Sequence, residues 1–428
     1  MEHTLAKSKI IFYGAGRQAQ YLFSGSINTY NRFPIPDLKD GVCFADADER
    51  KYASLFLGLP VMSIAQALEQ FPDANIYVSL AFPAKYAVFG YLTEQLHIPA
   101  ERILNFEPVE KYASCEYLQG YLLIQNNGLG FCFNNFGRNF PPNVSVDRAP
   151  EHSVPEFLKV RSSLIQDVRS GKEGSACFGC RNIQTQYWPK RDGIRHLYID
   201  DYSGCNIHCS YCTVSKPLST AVKPSATFSY LAFIHYLEQN GLVDEDFRCD
   251  VLPGEITVHP YREEILQSVS AYPNVFFTNA ILFHPKIAQI LDRGLSYIYV
   301  SMDAGTAETF QTIKGLDAFE RVCENLKAYA KHGAVELKYI VLPGINDNAT
   351  DAKGFVALCK DLKVQNVIIS RNYHGWKDID DHQLAFTTDL YIALIKEKIP
   401  VSIPSWQYSA TENQQITAAI EKQGYQRH

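Results

Sequence analysis

The sequence has no hydrophobic run approaching the length of a membrane span, and its N-terminus, MEHTLAKSKIIFYGAG, lacks the apolar stretch of a signal peptide. It also lacks an excess of positive charge. The formal net charge is −6 and the sequence pI is near 6.1, which gives no electrostatic reason to expect nucleic acid as the main partner. These absences predict a cytoplasmic protein with no membrane association and no evident nucleic-acid partner.

The cysteines lack the regular pattern of a disulfide framework. Eleven of them are irregularly spaced along 428 residues, which favours reduced thiols or metal ligands in a cytosolic chain. Five stand singly among apolar neighbours and are predicted to be small buried hydrophobes: Cys43, Cys115, Cys132, Cys323 and Cys359. The chain length predicts two or three domains.

The first 108 residues alternate apolar, strand-like runs with helical patterns. The runs are KIIFY (9–13), VCFAD (42–46), NIYVSLA (75–81) and RILNF (102–106). This alternation predicts a parallel, Rossmann-like sheet over residues 1–108. Gly14 and Gly16 follow the first strand, and Asp46 or Asp48 is the acidic candidate, so a nucleotide site is one interpretation and a purely structural domain is the other.

Residues 109–194 are predicted to be an irregular connection that includes one helix (154–171) and a Cys-x-x-Cys pair. A second alternation begins at residue 195. Its strand candidates are 196–200, 250–254, 274–278, 297–301, 336–342 and 366–370, with helical patterns between them. Six apolar strand–helix units predict a partial (β/α)6 TIM-type barrel over 195–400, followed by an extension over 401–428. The predicted fold class is therefore α/β.

Three cysteines lie together in the segment GCNIHCSYC, at Cys205, Cys209 and Cys212. They follow the first predicted barrel strand, and barrel chemistry lies at the C-terminal ends of strands. Three thiolates are one ligand short of a closed tetrahedral site. A zinc knot is the structural alternative, but three thiolates suit an iron–sulfur cube with one open iron.

The Cys-x3-Cys-x2-Cys spacing, with Tyr211 before the last cysteine, resembles the signature loop of the radical S-adenosylmethionine (SAM) superfamily. Later strand ends are similar to other motifs of that family. Gly254 and Glu255 resemble its Gly-Gly-Glu element, with Pro253 in place of the first glycine. The remaining matches are Thr278 and Asn279 before Ala280, Ser301 and Asp303, Lys314 where arginine is frequent, and Ser370 with Arg371.

The resemblance implies that Cys205, Cys209 and Cys212 ligate a 4Fe–4S cluster whose open iron binds the methionine moiety of SAM. Reductive cleavage would give a 5′-deoxyadenosyl radical that abstracts hydrogen from a substrate. The implied cofactor contacts are Tyr211, Gly254, Glu255, Thr278, Asn279, Ser301, Asp303, Lys314, Ser370 and Arg371. Taken singly, several of these have an ordinary alternative as strand caps, turn residues or surface charges.

A second cysteine pair, Cys177 and Cys180, lies upstream in SACFGCRN. It predicts either two ligands of a second metal site, completed by Cys249 or a histidine, or a pair of reduced thiols.

The expected function is a radical SAM enzyme with a reducing partner such as flavodoxin or ferredoxin. The expected substrate is a nucleotide-linked sugar or related metabolite, because the N-terminal stretch resembles Rossmann-like modules of glycan-synthesis enzymes. Modification of a peptide, or a non-catalytic metal-stabilised nucleotide-binding protein, are the alternatives. Tyr373, His374 and Trp376 are late-barrel candidates by position alone.

Overall fold

The computed structural model describes residues 9–23, 33–126, 128–132, 144–145, 149–213, 216–222, 228–252, 254–372 and 379–427. The chain divides into two compact units. The first comprises residues 1–198 and 227–248, and the second comprises residues 199–226 and 249–428. Each is a mixed α/β unit with parallel strand pairs, as the sequence predicts. Among the described residues no helix is long and apolar enough to cross a membrane.

The elements up to residue 200 are ten strands and five α-helices among the described residues. The strands are β1 (Ile10–Tyr13), β2 (Gly41–Ala45), β3 (Leu55–Phe56), β4 (Leu59–Met62), β5 (Asn75–Val78), β6 (Val109–Ser114), β7 (Tyr121–Gln125), β8 (Gly128–Gly130), β9 (Gln184–Pro189) and β10 (Ile194–Asp200). The helices are α1 (Arg17–Phe23), α2 (Ile64–Gln70), α3 (Ala84–Gly90), α4 (Glu116–Gly120) and α5 (Pro150–Arg169). Short 3₁₀ turns at Leu38–Asp40, Glu49–Lys51 and Ala100–Arg102 and a π turn at Tyr91–Gln95 complete this part.

The later elements follow in the same way. The strands are β11 (Gly204–Cys205), β12 (Lys216–Pro217), β13 (Val243–Val251), β14 (Asn274–Phe277), β15 (Tyr297–Ser301), β16 (Ala334–Val341), β17 (Asn366–Arg371) and β18 (Val401–Ser402). The helices are α6 (Tyr230–Gln239), α7 (Arg262–Ser268), α8 (Pro285–Leu291), α9 (Ala307–Lys314), α10 (Phe319–Ala330), α11 (Ala349–Leu362), α12 (Asp381–Lys396) and α13 (Ala410–Lys422). Two 3₁₀ turns lie at Ile256–Val258 and Ser405–Gln407.

The N-terminal sheet of the first unit has the strand order β3-β4-β2-β1-β5. All pairs in it are parallel except the β3–β4 hairpin. Its central strand β1 (Ile10–Tyr13) is a short apolar run that is buried on both faces, whereas the edge strand β3 is exposed at Leu55. The first turn of α2 is fixed by a capping box, in which Ser63 and Gln66 satisfy each other's backbone N–H groups.

Residues 109–130 differ from the irregular connection that the sequence predicts. β6 pairs antiparallel with β9, and β7 pairs antiparallel with β8. The aromatic, Asn-rich composition hid these strands because their side chains pack as ring pairs, such as Tyr121 of β7 with Tyr198 of β10 at 5.5 Å between centroids, rather than as aliphatic alternation.

In the second unit the strands β13 to β18 follow one another in parallel, each paired with the next. The helical stretch between β15 and β16 consists of two helices, because Gly315 at φ 70° ends α9 with a left-handed cap before α10 begins. The C-terminal segment, expected as an extension, contains β18 and α13 and contributes buried Ile416 and Ile420.

One helix of this unit packs closely against a strand-end loop. A Cβ at Gly354 would overlap the carbonyl oxygen of Gly305 and lie 2.8 Å from its carbonyl carbon. Glycine to alanine inside a helix ordinarily stabilises by about 1 kcal/mol. Here we expect Gly354→Ala to lower the free energy of unfolding by about 1–3 kcal/mol, because backbone must move to make room.

Denaturant unfolding followed by circular dichroism measures this change. The control is Lys353→Ala on the exposed side of the same helix, which we expect to change stability by less than about 0.5 kcal/mol. A stabilising effect of Gly354→Ala would contradict the close approach.

Candidate functional site

The three clustered cysteines lie in the second unit, in the loop that follows β10. Cys205 belongs to β11, which pairs in parallel with β12, and it is buried, whereas Cys209 and Cys212 are half-buried. The Cys212 N–H donates to the Cys209 carbonyl at 3.0 Å, which folds the last two cysteines into one turn. The Ser210 N–H donates to the carbonyl of Ile313 at 2.8 Å, so the loop is attached to α9.

The environment of these thiols raises their pKa values. Burial raises the pKa of Cys205 to about 11, with Glu255 adding to it, while Asn279 opposes it by donating from Nδ2 to Sγ at 3.5 Å. Burial also raises the pKa of Cys209, and the nearby Lys314 ammonium opposes this. Because thiolates are the metal-binding form, metal binding at this loop would release protons.

Among the described residues no group of three His, Cys, Asp or Glu side chains is already arranged to hold a metal ion. The fit therefore depends on the donor set and its surroundings. Three thiols on one short loop, with an amide N–H donor at one sulfur, suit an iron–sulfur cluster with one iron left open.

Gly254 lies against the backbone that carries Cys205. Its φ is +73°, and a Cβ there would come 2.6 Å from the Gly204 carbonyl oxygen and 2.8 Å from that of Tyr202. The adjacent Glu255 N–H donates to Gly204 O at 2.9 Å. Only glycine fits this conformation and this contact without displacing the loop. Pro253, which replaces the family's first glycine, lies outside the described residues.

Glu255 is 1% exposed and accepts four hydrogen bonds. Its Oε1 receives the Thr257 N–H at 3.1 Å and hydroxyl at 2.8 Å and the Thr278 hydroxyl at 2.8 Å, and its Oε2 receives the Asn279 N–H at 2.6 Å. Burial raises its pKa, and these bonds oppose the shift. Since a carboxylate oxygen has two lone pairs, Oε2 keeps one for an ammonium group.

Thr278 and Asn279 follow β14 and are brought to Cys205 by this network. Asn279 Nδ2 donates to Asn206 Oδ1 at 2.7 Å as well as to the Cys205 sulfur. Ala280, where the family usually has glycine, has φ 56° and thus takes the left-handed conformation that glycine would adopt freely.

Tyr211, Asp303 and Lys314 form a second buried group. Asp303 Oδ2 accepts from the Tyr211 hydroxyl at 2.5 Å and from Lys314 Nζ at 2.5 Å, and its Oδ1 accepts from the Ile340 N–H at 2.8 Å. Lys314 also donates to the Ser301 carbonyl at 2.6 Å. Burial raises the pKa of Tyr211, and the Asp303 carboxylate adds to the shift. In this structure the Tyr211 hydroxyl joins the cysteine loop to Asp303, which follows β15.

The last two predicted residues lie at the end of β17. Ser370 is fully buried and its Oγ has no hydrogen-bond partner among the described residues. Arg371 binds Glu412 of α13, with Nη1 3.0 and 3.1 Å from the two carboxylate oxygens. Nη1 of Arg371 is therefore engaged in an ion pair, whereas the neighbouring Ser370 hydroxyl has no hydrogen-bond partner among the described residues. Tyr373, His374 and Trp376 lie outside the described residues.

Two residues of this region escaped the sequence reasoning. Asn346 bridges from Nδ2 to the carbonyls of Asp303 and Ile340, both at 2.8 Å, and so supports the left-handed backbone of Asp303 at φ 56°. Lys338 lies on β16 opposite Ser301, and burial lowers its pKa. Among the described residues its ammonium has no ion-pair partner within 4 Å. The available signal was the lysine inside the otherwise largely apolar run ELKYIVL, which also contains Glu336.

The N-terminal glycines and Asp46 meet in the first unit. Asp46 Oδ2 accepts from the Ala15 N–H at 2.8 Å and from Lys51 Nζ at 2.9 Å. Gly14, at φ 111°, donates its N–H to Ala45 O at 2.7 Å. Asp48 instead holds Arg50 in an exposed pair. The structure therefore brings Gly14, Gly16 and Asp46 together at the C-terminal ends of the neighbouring strands β1 and β2.

Residues 199–353 match the sequence profile of the Radical SAM superfamily. These residues therefore form a Radical SAM domain, and members of that superfamily use a 4Fe–4S cluster and SAM. The match includes all three loop cysteines, Glu255, Asp303 and Lys338.

Curated relatives include the GTP 3′,8-cyclase of Acaryochloris marina, 26% identical over 168 residues that cover 37% of this chain and 51% of the relative. The GTP 3′,8-cyclase of Petrotoga mobilis is 25% identical over 197 residues that cover 42% and 60%. The chain thus spans about half the length of the curated relatives it matches. Streptococcus suis SuiB bound to S-adenosylmethionine is a partial structural likeness, with 13% identity and a TM-score of 0.41 over 59% of this chain and 56% of that one.

The Asp303–Lys314 pair gives a stability prediction. Both side chains are at most 3% exposed, so removing the cation leaves a buried, unpaired carboxylate. We expect Lys314→Met to lower the free energy of unfolding by about 3–5 kcal/mol, measured by denaturant titration.

The matched control is Lys327→Met, which removes an ion pair with Asp361 whose side chains are 54% and 58% exposed. This loss should cost no more than about 1 kcal/mol. Equal effects of the two substitutions would show that Lys314 does not neutralise Asp303.

Proposed function

We propose that this protein is a radical SAM enzyme whose cluster is held by Cys205, Cys209 and Cys212. The observation that carries the proposal is the attachment of this cysteine loop to three separate strand ends, through Glu255, Asn279 and Asp303. A loop that only needed a structural metal would not require contacts from three successive strand ends, two of which carry a buried acid. The matched superfamily profile over residues 199–353 supports the same interpretation.

When bound, the cluster and SAM supply a one-electron cleavage that gives a 5′-deoxyadenosyl radical and removes hydrogen from a substrate. The chain's own residues bind and orient. Glu255 Oε2 accepts one hydrogen bond, from the Asn279 N–H, and would accept another from the amino group of SAM, while the amide of Asn279 orients Cys205. The remaining predicted contacts line the same strand ends: Gly254, Thr278, Ser301 and Ser370.

Four of the predicted residues support the site through other residues. Tyr211, Asp303 and Lys314 hold the loop and the end of β15 together, and Arg371 fixes the end of β17 through Glu412. The expected electron donor is a small one-electron carrier of the flavodoxin or ferredoxin type.

We further propose that the two sheets belong to known architectures. The parallel succession β13 to β18, with helices between, supports a partial (β/α)6 TIM-type barrel. The order β4-β2-β1-β5 supports a Rossmann-like N-terminal domain. Gly14, Gly16 and Asp46 would contact a nucleotide there, and Asp46 would have to exchange one of its present bonds, to Ala15 or to Lys51.

The substrate is proposed to be a nucleotide-linked sugar or a related phosphate-bearing metabolite. The Rossmann-like strand order and the curated relatives named for a GTP reaction support a nucleotide part. Lys338 supports an anionic part, because partial burial lowers the pKa of its ammonium and a phosphate would give this ammonium a partner.

The enzyme class is tested by anaerobic reconstitution with iron and sulfide. Relative to the unaltered chain, replacing Cys205, Cys209 and Cys212 by Ala should remove about four irons per chain. Reduction in the presence of SAM should release 5′-deoxyadenosine from the unaltered chain, and Cys205→Ala should abolish this release.

The matched control is Cys323→Ala, which changes a buried cysteine of α10 and should leave both readouts intact. A protein that binds zinc at the loop, takes up no iron there and never cleaves SAM would contradict the proposal and favour a non-catalytic role.

The substrate class is tested by 5′-deoxyadenosine release in the presence of nucleoside triphosphates, nucleotide-linked sugars or peptides. Nucleotide-linked sugars should stimulate release, and Lys338→Gln should raise their KM at least about tenfold, equivalent to one charge-assisted hydrogen bond. Lys338→Arg should keep most of the affinity, and the exposed Lys331→Gln should have no effect. Stimulation by peptides alone would overturn the nucleotide proposal.

A further inference from the structure

Four cysteines of the first unit, from three separate stretches of the sequence, interact electrostatically with one another. They are Cys115, Cys132, Cys177 and Cys180, and none of them forms a disulfide. The sequence pattern predicts a metal role for Cys177 and Cys180, whereas it predicts that Cys115 and Cys132 are isolated buried hydrophobes. The other predicted partner, Cys249, is fully buried in β13 at a position that belongs to the second unit.

Strand pairing brings the first three of these thiols to one place. In the antiparallel pair of β6 and β9, Ser114 lies opposite Gln184. Cys115 directly follows Ser114, and the segment with Cys177 and Cys180 leads directly into Gln184. Both therefore lie at the same end of this two-stranded pair.

Cys132 reaches the same end through the neighbouring hairpin. Leu123 of β7 lies opposite Gly130 of β8, so Cys132, two residues after Gly130, runs back toward the start of β7. The start of β7 is joined to Cys115 by the single short helix α4. Gln119 of that helix donates to Ser114 Oγ at 2.8 Å, which holds the helix against the end of β6.

The Cys-x-x-Cys segment already has the turn that a metal pair needs. The Cys180 N–H donates to the Cys177 carbonyl at 3.1 Å, and Gly179 between them has φ 64°. This turn places both thiols at the tip of one loop. Both are partly exposed, so they can rotate toward a common centre.

Electrostatic coupling between the thiols agrees with this placement. Cys115 interacts electrostatically with Cys132, Cys177 and Cys180, and Cys177 interacts with Cys180 and Cys132. A cation at the centre would turn the mutual repulsion of these thiolates into a common attraction.

Two polar side chains beside the loop lack partners. Ser175 Oγ and Asn182 Nδ2 are buried and make no hydrogen bond among the described residues. They flank Cys177 and Cys180 in sequence by two residues on each side. Hydrogen-bond donors around sulfur ligands are a regular feature of metal–thiolate sites, and a sulfur acceptor would satisfy both.

We propose that the first unit carries a second metal centre with four thiolate ligands, Cys115, Cys132, Cys177 and Cys180. The side chains must rotate to close it, since no three such groups among the described residues are already arranged around a metal. Four thiolates suit either a tetrahedral zinc ion or a fully ligated 4Fe–4S cluster. In both cases every metal position is filled by protein, so the centre supports structure or carries electrons and has no open coordination position for SAM.

The test uses the full chain with Cys205, Cys209 and Cys212 replaced by Ser, so that the first centre is absent. This protein should bind either about one zinc or about four irons per chain, measured by elemental analysis after loading with zinc or after anaerobic iron–sulfide reconstitution. X-ray absorption at the bound metal should show sulfur in all protein ligand positions. Stoichiometric binding of zinc alone identifies the centre as a zinc site, and stoichiometric binding of iron alone identifies it as an iron–sulfur cluster.

In the same background, Cys177→Ser/Cys180→Ser should abolish stoichiometric metal binding, and Cys132→Ser should lower affinity at least about tenfold, as loss of one ligand does. The control Cys323→Ser should bind as much metal as its parent. Cys115→Ser is replaced as a test if circular dichroism shows that it does not fold. The metal affinity of Cys132→Ser then tests whether the centre has a ligand outside the Cys177–Cys180 pair, because Cys132 is half-exposed.

Two outcomes would overturn the proposal. One is a parent protein that binds neither zinc nor iron stoichiometrically. The other is unchanged metal content after removal of Cys177 and Cys180. Neither result would affect the proposed SAM chemistry, which depends on the other three cysteines.

Discussion

The candidate site depends on one buried ion pair, between the Lys314 ammonium and the Asp303 carboxylate. Asp303 has three donors on it, from α9, from the cysteine loop and from the backbone of β16. An unpaired carboxylate buried this deeply would be strongly unfavourable. Separating any of the three elements would remove a donor from Asp303, and this cost holds the elements together. A lysine suits this role because its compact ammonium also reaches the Ser301 carbonyl and the Tyr211 ring.

Glu255 acts in the same way on the opposite side of the loop. Its four hydrogen bonds join the turn after β13 to the end of β14. Gly254 next to it allows the backbone to touch the strand that carries Cys205. The two acids thus position the cysteine loop from both sides, and a cofactor bound there would meet side chains whose directions are already fixed.

Much of the second unit could be predicted because its signals are local. Continuous apolar runs marked the parallel strands, and the cysteine spacing with Glu255, Thr278 and Asp303 marked the strand ends. The partners of those residues could not be predicted, because they are set by long-range packing. Nothing in the sequence says that Tyr211 would reach Asp303 or that Arg371 would turn to Glu412.

The misses in the first unit have a different cause. Residues 109–130 form strands whose pattern is aromatic and interrupted by glycine, so no two-residue alternation stands out. Cys115 and Cys132 look like isolated hydrophobes in one dimension, and only the antiparallel registers bring them to Cys177 and Cys180. Proximity created by strand pairing leaves no trace in local spacing.

The ion pair between Arg371 and Glu412 determines where the second unit can be cut. Glu412 also accepts the backbone N–H groups of Ile379 and Ser409, so α13 closes the end of β17 and the segment after it. A domain limit drawn after residue 400 would divide this group between two pieces. Residues 401–427 are therefore an integral part of the second unit, and a shortened chain that ends before them would expose the Arg371 guanidinium and the side of α12 that packs against α13.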